Sequence, residues 1–196
     1  MAAILLLAAG SSSRLGKPKQ LLRFEGKTLL RRAAETAVAA ANGAPVVVVT
    51  GALHEQLLPE LLGLPVVVVR CETWSAGMGA SLQSGLRTLE KHARPLQSVT
   101  VMLCDQPFVT AELLLQLAAA ASPERPMAAS AYNKVCGVPV CFGPEALPLL
   151  QQLPETAGAA QLLRQHPELV ASVDFPLGAI DVDTPEQYAA LLAGLA

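Results

Sequence analysis

Ala3-Ile4-Leu5-Leu6-Leu7-Ala8-Ala9-Gly10-Ser11-Ser12-Ser13-Arg14-Leu15-Gly16-Lys17-Pro18-Lys19-Gln20-Leu21-Leu22 decides the reading of the chain. Ala3–Ala8 is an unbroken apolar run, the pattern of a parallel strand covered on both faces. Gly10 and the serines after it let the backbone approach a ligand closely, with amide and hydroxyl donors available to phosphate oxygens. Arg14, Lys17 and Lys19 add positive charge to the same loop, as a triphosphate requires. The loop is not a Walker A motif, because five residues separate Gly10 from Gly16 and Pro18 follows Lys17 where a serine or threonine is needed. Nor is there a dinucleotide fingerprint: Gly77 and Gly79 lack a third glycine and do not follow the first strand.

Working outward, short apolar runs alternate with amphipathic stretches. Strands are predicted at Ala3–Ala8, Pro45–Thr50, Pro65–Arg70, Ser98–Cys104, Pro126–Ser130, Gly137–Phe142 and Ala179–Val182. Helices are predicted at Thr28–Ala41, Leu53–Leu62, Gly79–His92, Thr110–Ala121, Pro144–Leu150, Gly158–Gln165 and Pro185–Leu195. The rhythm predicts a three-layer α/β/α sandwich around a mostly parallel central sheet, with residues 1–196 as one domain. The least regular stretches, Pro148–Pro154 and Ala157–Ala160, read as a lid or an insertion. In such folds ligands sit at the carboxyl ends of strands.

Composition narrows the function. Of 196 residues, 52% are hydrophobic and 15% charged, which supports a large core and excludes disorder. A net charge of −2 and 4% aromatic content leave neither a basic stripe nor a stacking platform for nucleic acid. No apolar run reaches the roughly 18 residues of a membrane span. The opening residues lack the basic start of a signal peptide and read as a buried strand. Cys71, Cys104, Cys136 and Cys141 form no C-x-x-C pair and read as reduced residues of a cytoplasmic protein. His54, His92 and His166 have no nucleophile partner or zinc-ligand spacing.

Two acidic segments complete the pattern. Asp105-Gln106-Pro107 follows the strand Ser98–Cys104, where a carboxylate can contact magnesium or, alternatively, form a turn before Pro107. Near the end, Thr184, Pro185 and Gln187 make a helix capping box, which leaves Asp181 and Asp183 on one face of the predicted last strand. One of them could join Asp105 at magnesium; the alternative is that Asp183 serves the helix dipole. Gly77 and Gly79 open a helix whose N-terminus can face a nucleotide, with Ser81 as a donor.

The segment Leu7–Leu22 resembles the L-A-A-G-x-S-x-R-x-G-x-P-K-x-L-L signature of the MobA-like NTP transferases, and within them the molybdenum-cofactor cytidylyltransferase branch, marked by Ala8-Ala9. Asp105-Gln106-Pro107 resembles that family's D-Q-P, Trp74–Leu82 its W-x-x-G-M-x-x-S-L, and Asp181–Gln187 its D-x-D-T-P-E-D with Gln187 in place of the last aspartate. The resemblance implies a Rossmann-like nucleotidyltransferase fold. It implies that Leu7, Ala8, Ala9, Gly10, Ser11 and Ser12 hold the nucleotide with Gly77 and Ser81, and that Arg14 and Lys19 contact its phosphates. Asp105 would hold Mg2+, with Asp183 preferred to Asp181 beside it. The implied reaction transfers CMP from CTP to a phosphorylated acceptor, molybdopterin, with release of pyrophosphate and passage of product to a molybdoenzyme or its chaperone. The chain departs from the family at Cys71, Val138, Thr156 and Ala160, where the family has Asn, His, Asp and Arg. These departures fall on the acceptor side, so a guanylyltransferase, another acceptor, or a nucleotide-binding protein without transfer activity are the alternatives.

Overall fold

The computed structural model describes residues 2–11, 16–93 and 95–194. In chain order the elements are β1 (Ala3–Ala8), β2 (Arg23–Phe24), β3 (Lys27–Thr28), α1 (Leu29–Ala41), β4 (Val46–Thr50), α2 (His54–Leu61), β5 (Val67–Arg70), α3 (Met78–His92), β6 (Val99–Leu103), α4 (Ala111–Ala120), β7 (Met127–Tyr132), β8 (Val135–Phe142), α5 (Leu147–Gln151), α6 (Ala159–Gln165), β9 (Val170–Asp174) and α7 (Pro185–Leu192).

Alternation along β1 explains why its sequence is apolar throughout. Leu5 and Leu7 face one layer with Val47, Val49 and the α3 residues Leu82, Leu86 and Leu89. Ile4, Leu6 and Ala8 face the other, with Val46, Val48 and residues of α1, α2 and α4. Both faces are dry, so neither position on the strand can be polar. The result is a seven-stranded sheet in the order β5-β4-β1-β6-β8-β7-β9, the predicted three-layer α/β/α sandwich. Every pairing is parallel except those of β8, which runs against β6 and β7. The turn into β8 is made by Asn133 and Lys134, both with positive φ (48° and 63°), the backbone of a tight hairpin.

The chain moves from β1 to β4 on one side and later returns to place β6 on the other. That reversal opens a crevice beyond the carboxyl ends of β1 and β6, the position where open α/β sheets bind ligands.

Several predicted elements change. The expected strand Ala179–Val182 does not form: Pro176–Ala179 is a 3-10 turn and the chain after it is irregular. Pro176 lacks an amide proton for a ladder, and Gly178 is packed so tightly that an added Cβ would lie 2.5 Å from the Tyr132 ring. The last strand is instead β9, beside β7 at the sheet edge, half-exposed along its length. Pro144–Leu150 is divided into a 3-10 turn, Pro144–Ala146, and α5. The four cysteines are free thiols, as predicted. Among the described residues no helix is long and apolar enough to cross a membrane.

Candidate nucleotide and metal site

A cavity of about 320 Å³ lies in the crevice. Its walls bring together Leu7, Ala8, Ala9, Gly10 and Ser11 after β1, Lys19, Gly77 and Ser81 around α3, and Asp105 after β6. These nine are predicted residues from four separate stretches of sequence. Ser12 and Arg14, also predicted, lie outside the described residues.

Each wall has a local cause. Gln20, 1% exposed, donates from Nε2 to the carbonyls of Ala8 (3.2 Å) and Gly10 (2.7 Å). Its amide therefore folds the loop back on the strand and ties up two carbonyls that would otherwise face a phosphate. Lys19 begins the same 3-10 turn, Lys19–Leu21, which aims its side chain into the crevice. On the opposite wall α3 starts at Met78 against the segment 154–157, where the Ala80 amide donates to the Glu155 carbonyl (3.1 Å). Pro154 and Ala157, which end and begin the two stretches read as a lid or an insertion, are thus part of a packed support for the helix start. The amino end of this 15-residue helix adds a partial positive charge to the cavity.

Gly79 is needed at that contact. A Cβ there would lie 2.1 Å from the Pro154 carbonyl oxygen and 2.8 Å from two more carbonyls, all backbone, so no rotamer change can relieve it. Gly79→Ala is expected to cost about 3 kcal/mol, the upper range for overpacking a closed site. It should also weaken triphosphate binding by shifting Gly77 and Ser81. Thermal unfolding together with nucleotide titration checks this; an unchanged melting temperature would show that the segment yields.

The charged floor is built by three elements. The Lys19 ammonium donates to Asp105 Oδ2 and to Asp183 Oδ1, the latter at 2.8 Å. The lysine, Asp105 and Asp183 side chains are 20%, 10% and 25% exposed, so these are partly buried pairs. Burial pulls the Lys19 ammonium down, but the charges and hydrogen bonds of Asp105 and Asp183 outweigh it and hold the group above its usual range. Lys19 is therefore a permanent cation.

Asp183 reaches this point because the segment after the 3-10 turn is pinned. The Val182 amide donates to the Asp105 carbonyl (3.1 Å), and its side chain is fully buried against Leu22, Leu29 and Leu191. Gln187 accepts from the amides of Asp183 and Thr184 and donates to Asp181 Oδ1 (3.0 Å). The predicted capping box forms, and the residue that departs from the D-T-P-E-D pattern holds Asp181 away from the lysine. The carboxyl of Asp181 is raised above the usual range by burial, then by Asp183 and Asp105. With no strand here, the alternation expected to set both aspartates on one face is absent, and these contacts give them different partners, Lys19 for Asp183 and Gln187 for Asp181.

The donor set suits a divalent ion that arrives with phosphates. Asp105 Oδ1 is buried and has no hydrogen-bond partner among the described residues. Among those residues no cluster of three His, Cys, Asp or Glu side chains could hold an ion without help. Magnesium characteristically takes one or two carboxylates and completes its shell with phosphate oxygens and water. Cys104 also lines the cavity, but burial, then Asp105, pushes its thiol up to about 12, so it is not a thiolate nucleophile.

Sequence reasoning missed Gln20, Ser75, Met78, Leu103 and Cys104 as wall residues; Trp74, which opens the W-x-x-G-M segment, also lines the cavity. Gln20 sits inside the recognised signature at a variable position, so only its two carbonyl contacts reveal its part.

Comparison with known proteins bears on the fold and the family. A relative from Paenarthrobacter nicotinovorans, named nicotine blue oxidoreductase, is 33% identical over 95% of this chain and 94% of its own. A protein of Nostoc sp. named "Probable molybdenum cofactor guanylyltransferase" is 27% identical over 95% of this chain and 88% of its own. The crystal structure of Rv0371c from Mycobacterium tuberculosis H37Rv superposes with a TM-score of 0.79 at 28% identity, covering 98% of both chains. A complex of the same protein with manganese gives 0.74 at 26% identity, again with 98% of both chains covered. Residues 4–170 match the MobA-like NTP transferase domain, and the chain belongs to that family of nucleotidyltransferases.

Proposed function

We propose that the chain transfers CMP from CTP to the phosphate of molybdopterin, in the cytoplasm and with Mg2+ or Mn2+ bound by Asp105 and Asp183. A phosphate oxygen of the acceptor forms a bond to the α-phosphorus of the triphosphate, the bond from that phosphorus to the bridging oxygen breaks, and pyrophosphate leaves. The observation that carries the reading is the convergence of Lys19, Asp105 and Asp183 on the floor of a cavity walled by the β1 loop and the α3 amino end. When bound, a divalent ion supplies charge neutralisation across the phosphates. Lys19 holds phosphate oxygens through charge-assisted hydrogen bonds. The β1 loop and Gly77 keep the nucleotide positioned, so that the transfer rests on orientation and electrostatics without a covalent nucleophile.

CTP is chosen from the Ala8-Ala9 pair, and molybdopterin from the signature and the Nostoc relative. The manganese complex of Rv0371c supports a divalent-ion requirement. The test is pyrophosphate release with each of the four triphosphates and molybdopterin, in Mg2+ and in Mn2+. Transfer from CTP at least about tenfold faster than from GTP supports the reading, since tenfold corresponds to roughly 1.4 kcal/mol of discrimination. Preference for GTP would move the chain to guanylyl transfer. Absence of pyrophosphate with every triphosphate would leave a nucleotide-binding protein.

One observation favours a second reading: the 33% identical relative is named an oxidoreductase. The loop after β1 lacks the glycine fingerprint of dinucleotide binding. Oxidation of NADH or NADPH in the presence of a planar aromatic acceptor, without pyrophosphate release from any triphosphate, would establish this alternative.

A further inference from the structure

Asp105 and Leu103 line the nucleotide cavity and also a second cavity of about 250 Å³, whose far side is formed by Tyr132, Asn133, Val138 and Asp181. Tyr132, Val135 and Val138 are in turn shared with a third cavity of about 600 Å³ between the β7–β8 hairpin, α6 and β9. Through these shared lining residues the three cavities adjoin in a row, from the nucleotide cavity to beyond the hairpin.

The last cavity of this row is largely apolar, with Val135, Val138, Leu163 and Val170 in its walls, and Arg164 is its one charged lining residue. Among the described residues no carboxylate pairs with Arg164. Ala160, the position where the family signature carries arginine, lines the same cavity. Both residues lie on α6. Four residues of helix bring them to one face, with Arg164 about 6 Å further along the axis.

We propose that Arg164 is the acceptor-specificity residue of this chain: it binds an oxygen of the acceptor at the end remote from the reacting phosphate. The proposal rests on the transferase reading. It identifies the acceptor as an elongated molecule with a nucleophilic phosphate at one end, an apolar or aromatic body in the third cavity, and a carboxylate or ring carbonyl at the other. A guanidinium is suited to that end because its fixed fork gives two parallel hydrogen bonds and its weakly hydrated plane tolerates apolar surroundings.

Two measurements test this separately from the reading beneath it. In steady-state transfer from CTP to molybdopterin, Arg164→Ala should raise the acceptor KM about tenfold or more, as expected for loss of a charge-assisted bond, with KM for CTP unchanged. The second uses 8-anilinonaphthalene-1-sulfonate, whose apolar rings and single anion match the third cavity, in the presence of CTP and Mg2+. The wild-type chain should bind it saturably, and Arg164→Ala and Arg164→Glu should weaken it about tenfold and more. Arg164 is exposed, so both variants should fold.

Dye binding that depends on Arg164, with no transfer to molybdopterin, would retain the residue's role and remove that acceptor. Transfer with an unchanged acceptor KM and dye affinity in Arg164→Ala would overturn the assignment while leaving the transferase intact. Displacement of the dye by CTP would place it in the nucleotide cavity and also overturn the assignment.

Discussion

Asparagine in place of Asp105 is expected to lower nucleotidyl transfer on the order of 10³-fold, the loss that follows from removing several kcal/mol of metal-centred charge stabilisation. The substitution keeps the shape of the side chain and the backbone carbonyl that accepts from Val182. What it removes is one negative charge from a side chain only 10% exposed, with one oxygen on Lys19 and the other buried without a partner among the described residues. Two effects on stability oppose each other. The ammonium of Lys19 loses one of two carboxylate partners, while Asp181, raised partly by Asp183 and Asp105, loses a like-charged neighbour. Their difference should be within about 1 kcal/mol, and a melting temperature within about 4 °C of wild type is expected for a domain of this size. Single-turnover transfer, with circular dichroism to verify the fold, makes the measurement. Activity within a few-fold of wild type would remove Asp105 from the metal site.

The most legible strands share one property: they are buried on both faces. β1, β4 and β6 contain almost only large apolar residues because each face meets a helical layer, and continuous runs of that kind stand out in a sequence. β9 failed to stand out for the opposite reason. Val170-Ala171-Ser172-Val173-Asp174 lies at an edge, half-covered, and its polar residues face outward. Ile180 and Val182 looked like a strand because they are apolar and alternate, yet Val182 is buried in a small cluster beneath α7 and pairs with no strand. The direction of β8 was hidden because its turn uses Asn133-Lys134 in the left-handed region without glycine.

The site divides in the same way. Gly10 and Asp105 could be read because each follows a strand closely, and a strand end has a known place in this architecture; Lys19 was read from the charge of the loop and from the signature. The preference for Asp183 over Asp181 came from resemblance alone. Its physical cause, a Gln187 amide that engages Asp181, depends on a side chain six residues away in sequence. Arg164 was passed over because its significance lies in what it shares a cavity with, and that is known only once α6, β9 and the β7–β8 hairpin are assembled.

Lys19→Met separates the structural and catalytic parts of the lysine. Methionine keeps most of the apolar stem and removes the ammonium, so Asp105 and Asp183 are left facing each other with Asp181 nearby. Removing one member of a fully buried ion pair costs about 3–5 kcal/mol; with these side chains 10–25% exposed, about 2 kcal/mol is expected, or roughly 4–8 °C in melting temperature. The carboxylates no longer neutralised by the protein then become a better cation site. Millimolar Mn2+ alone should raise the melting temperature of Lys19→Met clearly more than that of wild type, where the ammonium already occupies the space between the carboxylates. Triphosphate affinity should move the other way, falling about 10- to 100-fold through loss of a charged phosphate contact. A purely structural lysine gives a different pattern: lower stability, equal manganese shifts in the two proteins and unchanged nucleotide affinity. Such a result would place the phosphates elsewhere in the crevice and leave Lys19 as a bridge between β6 and the chain before α7.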